Sequence, residues 1–215
     1  MTTVYISRHS TPFKEHRGIE LINENKLTWN KMSPLSVNGE KRAEKLSELK
    51  CLQNIDVVWS SEYVRAMSTA KYIAHKNDIS VNIDERLGER IHGDLTDYTD
   101  MDDYHYRQYT DVNYKLDNGE NQLEVRNRML ECLYEIIENN KDKNIFICSH
   151  QVAMTFFLMN WCKLNIETYE LTYNNKEVFD MNFKTPELFK LVFDSNNELI
   201  TIENIKRIEN VLNNE

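Results

Sequence analysis

Cysteine is scarce in this 215-residue sequence, and its four copies, Cys51, Cys132, Cys148 and Cys162, lie far apart. No Cys-x-x-Cys occurs and three of them sit in apolar or helical patterns, so they read as buried thiols in a reducing, cytoplasmic setting. Basic residues are in the minority: 26 Lys plus Arg stand against 35 acidic residues, a net charge of −9, with no Lys/Arg block. Nucleic acid is therefore an unexpected partner, and any anion site has to be assembled from individually placed cations. A basic n-region followed by a long apolar h-region is missing, and no signal peptide is expected. The stretch Asn144 to Cys162 lacks Lys, Arg, Asp and Glu and approaches the length of a bilayer span. Ser149, His150 and Gln151 interrupt it, however, and a strand followed by a helix accounts for it without a membrane. No internal repeat, low-complexity tract or domain linker is found either, which leaves one domain over residues 1–215.

What is present is an ordinary soluble composition, 40% hydrophobic and 28% charged, in a chain long enough for a sizeable core. Val4 to Ser7 is a β-branched and aromatic run that breaks off into Arg8-His9. Thr11 to Pro34 carries Pro12 and Pro34 without a sustained period and reads as a long loop. Ser36 is a plausible N-cap for a helix reaching Lys50, with Ala43, Leu46 and Leu49 on its apolar side. Asp56 to Trp59 reads as a strand, Ser60-Ser61 starts a helix to about His75, and Val81 to Ile83 reads as a short strand. Glu85 to Gly93 fits a loop.

Asp94 to Leu116 is rich in Asp and Tyr but lacks the Asp-x-Asp-x-Asp-Gly order of a calcium loop. It is expected to be a short helical cap insertion, around residues 94–118, lying over the functional pocket, with acids that disfavour very highly charged ligands. A long helix is expected from Glu120 to Asn140. Asn144 to Cys148 is the most strand-like run, and Ser149-His150 turns it into a helix to about Met159. Leu188 to Phe193 and Leu199 to Ile205, joined by Ser195-Asn196-Asn197, read as a hairpin at a sheet edge. The alternation of strands and helices predicts a three-layer α/β/α sandwich with a mostly parallel sheet and helices on both faces. The apolar hairpin edge offers a surface through which copies of the chain could pair.

In such a sheet, ligands bind outside the carboxyl ends of the strands. The first strand ends in Arg8-His9, the second leads to Ser60-Ser61 and Arg65, the third to Glu89-Arg90, and the fourth to Ser149-His150. Guanidiniums, imidazoles and helix N-termini on one edge suit a tetrahedral phosphoryl group. A neutral His9 can attack phosphorus and carry the phosphoryl group, while Arg8, Arg65 and His150 stabilise its oxygens. Glu89 is the candidate to protonate the departing alkoxide and then to activate water.

These residues carry a resemblance. Arg8-His9, Leu35-Ser36-x-x-Gly39, Ser60-Ser61-x-x-x-Arg65-Ala66-x-x-Thr69-Ala70, Leu87-x-Glu89-Arg90-x-x-Gly93, Gly119-Glu120 and Ser149-His150 together resemble the histidine phosphatase superfamily, in the branch of the cofactor-dependent phosphoglycerate mutases. The resemblance implies an α/β sandwich, catalysis without a metal or cofactor, His9 as the phosphorylated nucleophile, Arg8 and Arg65 as phosphate ligands, His150 as the second pocket histidine and Glu89 as proton donor. Arg90, which matches the mutase pattern, is a further substrate-binding candidate. Ser10 and Ser149 stand where the family usually has glycine, each placing a hydroxyl near the phosphate; Thr11 and Glu15 replace a Glu and an Asn of many mutases. The leading expectation is a phosphatase acting on a small phosphorylated metabolite through phospho-His9. The alternatives are a phosphoglycerate-mutase-like isomerase and a catalytically impaired phospholigand-binding protein.

Overall fold

The computed structural model describes residues 1–13, 26–94, 100–182 and 186–205. Glu15, the middle of the expected Thr11–Pro34 loop, and residues 95–99 of the Asp/Tyr-rich insertion lie outside the described residues.

Four strands, β1 (Thr2–Arg8), β2 (Val57–Ser60), β3 (Val81–Ile83) and β4 (Asn144–Ser149), pair in parallel. The hairpin of β8 (Leu188–Phe193) and β9 (Leu199–Asn204) closes one edge antiparallel, in the order β3-β2-β4-β1-β8-β9. Side chains alternate across this sheet with the period of the pleat. Ile145 and Ile147 join Val4 and Ile6 in one core layer, whereas Phe146 and Cys148 join Tyr5 and Val58 in the other. Both faces are buried, which is why these strands read as nearly continuous apolar runs.

One face is covered by α2 (Val37–Ser47) and α3 (Val64–Lys76), through Leu46, Ala66, Ala70 and Ile73. The other is covered by α5 (Gln122–Glu138) and α6 (Gln151–Leu158), through Val125, Met129, Leu133 and Phe156. The result is the expected three-layer sandwich with a mostly parallel sheet. Burying a side chain such as Phe146, 0% exposed, contributes roughly 1.5–3 kcal/mol. The charge-poor stretch resolves into β4 and α6, and among the described residues no helix is long and apolar enough to cross a membrane.

Three segments differ from the sequence reading. A short helix, α1 (Lys26–Met32), occupies the later part of the expected loop. Helix α3 begins at Val64 rather than Ser61, with Tyr63 as N-cap, so Arg65 sits in its first turn. Residues that carried no strand reading form a separate antiparallel sheet of β5 (Lys163–Asn165), β6 (Glu170–Tyr173) and β7 (Lys176–Phe179). Its strands are only three or four residues long and largely polar, with Leu171, Val178 and Phe179 buried in the core and Leu164 and Tyr173 packed against it. Asn174 and Asn175 turn β6 into β7 with φ of 49° and 61°, the paired positive dihedrals of a two-residue hairpin turn. The Asp/Tyr-rich insertion does contain a helix, α4 (Met101–Thr110), N-capped by Asp100.

Candidate active site

His9 follows the last residue of β1, and its amide donates to the Ser149 carbonyl at 3.0 Å, so the ends of β1 and β4 are fixed to each other. The loop beyond is stapled to both helices of one layer. The Ser10 amide donates to Thr69 Oγ1 at 2.9 Å and the Ser10 hydroxyl donates to the Gly39 carbonyl at 2.8 Å. The Thr11 carbonyl accepts from the Ser36 amide at 3.0 Å. Gly39 is required by this approach, because a Cβ there would stand 2.0 Å from the Thr11 carbonyl oxygen. The Leu35-Ser36-x-x-Gly39 segment therefore caps α2, through the Ser36 hydroxyl and the Gly39 amide, and seats the loop that carries His9.

The hydrogen bonds assign the tautomers of both imidazoles. His9 Nδ1 lies 2.7 Å from the Ser10 carbonyl oxygen. A carbonyl can only accept, so Nδ1 carries the proton and Nε2 the lone pair. Arg65 Nε donates to that lone pair at 3.0 Å. His150 takes the opposite tautomer: Arg65 Nη2 lies 3.3 Å from its Nδ1, and its Nε2 donates to Ser61 Oγ at 2.7 Å. The two rings are 5.1 Å apart with the Arg65 guanidinium bridging them. Arg65 also donates to the Asn30 carbonyl and lies over the Tyr63 ring, 4.7 Å from its centroid.

Burial, with the charge of Arg65 and then Arg8 behind it, pushes the His9 imidazole down to about 3. His150 is held well below its ordinary value by burial and by His9 and Arg65. Both rings are therefore neutral at pH 7. Burial also lowers Arg8 and Arg65, opposed by Glu89. A buried cation in the first turn of a helix faces the positive end of the dipole, an arrangement that an incoming anion relieves.

Glu89 approaches from the loop after β3. Its Oε1 accepts from the amides of Arg90 and Ala153, both at 2.9 Å, and its Oε2 from the Val152 amide at 3.4 Å. The last two are open amides of the first turn of α6, whose N-cap His150 makes no side-chain cap bond. The carboxylate thus caps α6 from outside and is held on the same wall as His9. Its backbone is clamped from behind by Arg128. That guanidinium donates to the carbonyls of Arg86, Gly88 and Glu89 at 2.6, 3.0 and 3.3 Å and pairs with Glu120 at 2.7 Å.

Arg8, His9, Arg65 and Glu89 line one open cavity of about 590 Å³. The structure brings these four together, with His150 directly behind His9. Three other candidates stand apart from the cavity wall. Arg90 is 2% exposed and its guanidinium is spent on Gln108 Oε1, the Glu120 carbonyl and the Tyr114 carbonyl, between the faces of Tyr104 and Phe156. The Ser149 hydroxyl donates to the Leu87 carbonyl at 2.8 Å and the Ser10 hydroxyl to Gly39, so neither points at a bound group. Neither serine is among the residues with positive φ, which explains how a side chain is tolerated at both positions.

The rest of the wall was not read from the sequence. Phe13, Trp29, Asn30 and Ser33 come from the loop and from α1, His92 follows Glu89, His105 comes from α4, and Gln151 follows His150. His92 and Gln151 carried a signal through their adjacency to motif residues, and His105 through its place in the insertion expected to lie over the pocket. Helix α4 does reach the cavity, through His105, and its Asp100, Asp102 and Asp103 are exposed. Among the described residues, no acid of the insertion lines this cavity.

A buried histidine pair bridged by arginine at the carboxyl edge of an α/β sandwich has the donors and the charge to receive a tetrahedral anion such as a phosphoryl group. The chain belongs to the histidine phosphatase superfamily (branch 1), whose family model matches residues 4–190. It is 28% identical over 127 residues to phosphoserine phosphatase 1 of Hydrogenobacter thermophilus, a match that covers 56% of this chain and 60% of that relative's length. Mycobacterial glucosyl-3-phosphoglycerate phosphatase shares the fold with a TM-score of 0.65 at 16% identity, over 94% of this chain and 96% of the other. A phosphoserine phosphatase mutant from Entamoeba histolytica, in complex with phosphoserine, does so with a TM-score of 0.63 at 17% identity, over 94% and 97%.

Proposed function

We propose that this protein hydrolyses the phosphomonoester of a small phosphorylated metabolite through a phosphohistidine on His9, without a metal ion. The observation that carries the reading is the anchored tautomer: Nδ1–H is tied to the Ser10 carbonyl, and the Nε2 lone pair, unprotonated, accepts from Arg65 at the cavity wall. In the first step the Nε2 lone pair forms the N–P bond and the P–O ester bond breaks. Arg65 shifts from Nε2 to the phosphoryl oxygens, joined by Arg8, and supplies the positive charge that a metal supplies elsewhere. The leaving oxygen takes a proton held on Glu89; a substrate bound as its monoanion brings that proton with it. In the second step Glu89 takes a proton from water, whose oxygen attacks phosphorus as the N–P bond breaks. The products are the alcohol and inorganic phosphate, and Glu89 is again protonated for the next cycle.

Phosphoserine and glucosyl-3-phosphoglycerate, named in its relatives, support a small metabolite as the substrate class. Hydrolysis is preferred to mutase action because Arg90, the residue in favour of a mutase, is buried with its guanidinium turned to Gln108, Glu120 and Tyr114 and is not part of the cavity wall. The intact hydrogen bonding of His9, Arg65, Glu89 and His150 counts against a mere binding protein. The free thiols of Cys51, Cys132, Cys148 and Cys162 support a reducing, cytoplasmic location. The test is to incubate the protein with radiolabelled acetyl phosphate and quench in alkali. An acid-labile, alkali-stable adduct on His9, absent from His9→Ala, is expected; full phosphatase activity in His9→Ala would overturn the reading.

A further inference from the structure

A second cavity, of about 430 Å³, adjoins the first, and His105 and Gln151 form their common wall. Beyond those two it is lined by Tyr109 of α4, by Tyr169 on the turn between β5 and β6, and by Asp180, Met181 and Asn182 just after β7. Tyr109 and Tyr169 meet edge to face with ring centroids 6.3 Å apart, so the cap helix and the small sheet touch at this point. Backbone geometry also singles the place out. Among the described residues, eight other than glycine have positive φ, and six of them are Asp or Asn, which tolerate it. The other two, Tyr169 at 56° and Met181 at 56°, both line this second cavity. Such strain persists only where surrounding structure imposes it, and it gathers at ligand sites.

The two cavities have opposite chemistry. Arg8 and Arg65 make the inner one cationic, whereas the outer one offers the Asp180 carboxylate, which also accepts the Asn182 amide at 3.1 Å, and the side-chain amides of Gln151 and Asn182. A carboxylate accepts hydrogen bonds and cannot donate them. Resting on the phosphatase reading above, we infer that the outer cavity is a leaving-group subsite, selecting extended phosphomonoesters whose far end donates hydrogen bonds, through hydroxyl or ammonium groups, and whose middle packs on Tyr109 and Tyr169. A leaving group ending in a carboxylate is disfavoured there by Asp180.

The experiment compares kcat/KM for four probes on one preparation: glycerol phosphate as the short reference, a disaccharide monophosphate, aminohexyl phosphate, and the matching carboxyalkyl phosphate. Because each result is a ratio to the short substrate, any misfolded fraction cancels. The expected result is a preference for the disaccharide or the amine over the carboxylate of about tenfold, the worth of one charge-assisted hydrogen bond. Between the donor sources, a disaccharide preference identifies hydroxyls and an aminohexyl preference identifies an ammonium. Asp180→Lys should reverse the order, and Tyr169→Gly, which keeps the positive φ available, should lower every extended probe towards the reference. Turnover of glycerol phosphate with no preference among the extended probes, or with ratios unmoved by both substitutions, overturns the subsite and leaves the phosphatase reading standing. No turnover of any probe overturns both.

Discussion

At the phosphate end of the cavity, His9, Arg65 and His150 are fixed by strand ends, a helix start and hydrogen bonds to backbone or to each other; at the outer end, Trp29, His92, His105 and Gln151 come from short helices and loops laid over the sheet. On the proposed mechanism, the first set meets a reaction that needs a fixed lone pair and fixed cations. The second answers to the size and polarity of whatever carries the phosphate. Substitutions at the two ends should therefore fail in different ways. His9→Ala should lower turnover by roughly 10⁴–10⁶-fold, the usual consequence of removing a nucleophile. His105→Ala should change kcat/KM by less than about tenfold, mainly through KM. Steady-state kinetics on both variants measure the contrast, and equal losses would erase it.

Glu89 joins the two ends, since its loop is shaped by Arg128 and Glu120 while its carboxylate caps α6. Glu89→Gln keeps the shape and an acceptor for the Arg90 and Ala153 amides, loses only the longer contact with the Val152 amide, and cannot hand over a proton. Its rate should fall roughly 10²–10⁴-fold with an alkyl phosphate, and much less with p-nitrophenyl phosphate, whose leaving group needs little protonation. An identical loss for both substrates would mean that Glu89 acts by position alone.

Arg90 sharpens the comparison from the other side, as a motif residue that structure turns to a different use. Buried between Tyr104 and Phe156, it ties the loop after Glu89 to α4 and to the loop before α5. Arg90→Met leaves several buried acceptors without their donor and should cost about 2–4 kcal/mol of stability, read from urea unfolding. The kcat of the folded protein should stay within about threefold. A large rise in KM for phosphate esters at unchanged stability would return Arg90 to ligand binding.

The same contrast explains what the sequence disclosed. The parallel sheet, its covering helices and the edge hairpin were legible because strands buried on both faces leave apolar runs and amphipathic helices leave periodic ones. His9, Arg65, Glu89 and His150 could be assigned to one edge because topology sends every parallel strand end the same way. The small sheet left no such trace. Lys163 to Asn165 and Lys176 to Phe179 pair through backbone, with few side chains buried, so neither alternation nor apolar runs betray them. Asn30 reaches Arg65 through its backbone carbonyl, a contact that no side-chain identity announces. Arg90 shows the converse limit: its position in a motif gave proximity to Glu89 but not the direction of its guanidinium.

The buried imidazole should also leave a mark on stability. An ordinary His in the unfolded chain titrates near 6.5, while His9 in the folded protein is pushed down to about 3 by burial and Arg65. Between those values the unfolded chain binds a proton that the folded protein does not, so stability falls as pH falls from about 6.5 towards 3. The slope from this residue is about 1.4 kcal/mol per pH unit at most. Replacing His9 with Asn should flatten the dependence of urea midpoint on pH across this window, with His150 still contributing in the same direction. An unchanged slope would mean that His9 is solvated enough to protonate in the folded state.

The smallest effects are expected at the two serines that stand beside His9 and His150 without facing the cavity. The Ser10 hydroxyl bonds the Gly39 carbonyl and the Ser149 hydroxyl bonds the Leu87 carbonyl, each at 2.8 Å and fully buried. Ser10→Ala or Ser149→Ala leaves one carbonyl lacking a donor, at a cost of about 1 kcal/mol each, with turnover unchanged within about twofold. Glycine at either position should cost slightly more, because its added freedom in the unfolded chain is not needed by a backbone already at negative φ. The hydroxyls then act as ties from the strand ends to α2 and to the loop after β3, holding the histidines where they are rather than facing the cavity. A serine variant that lost turnover tenfold at full stability would place its hydroxyl in the reaction and break the division between the cavity's inner wall and the scaffold behind it.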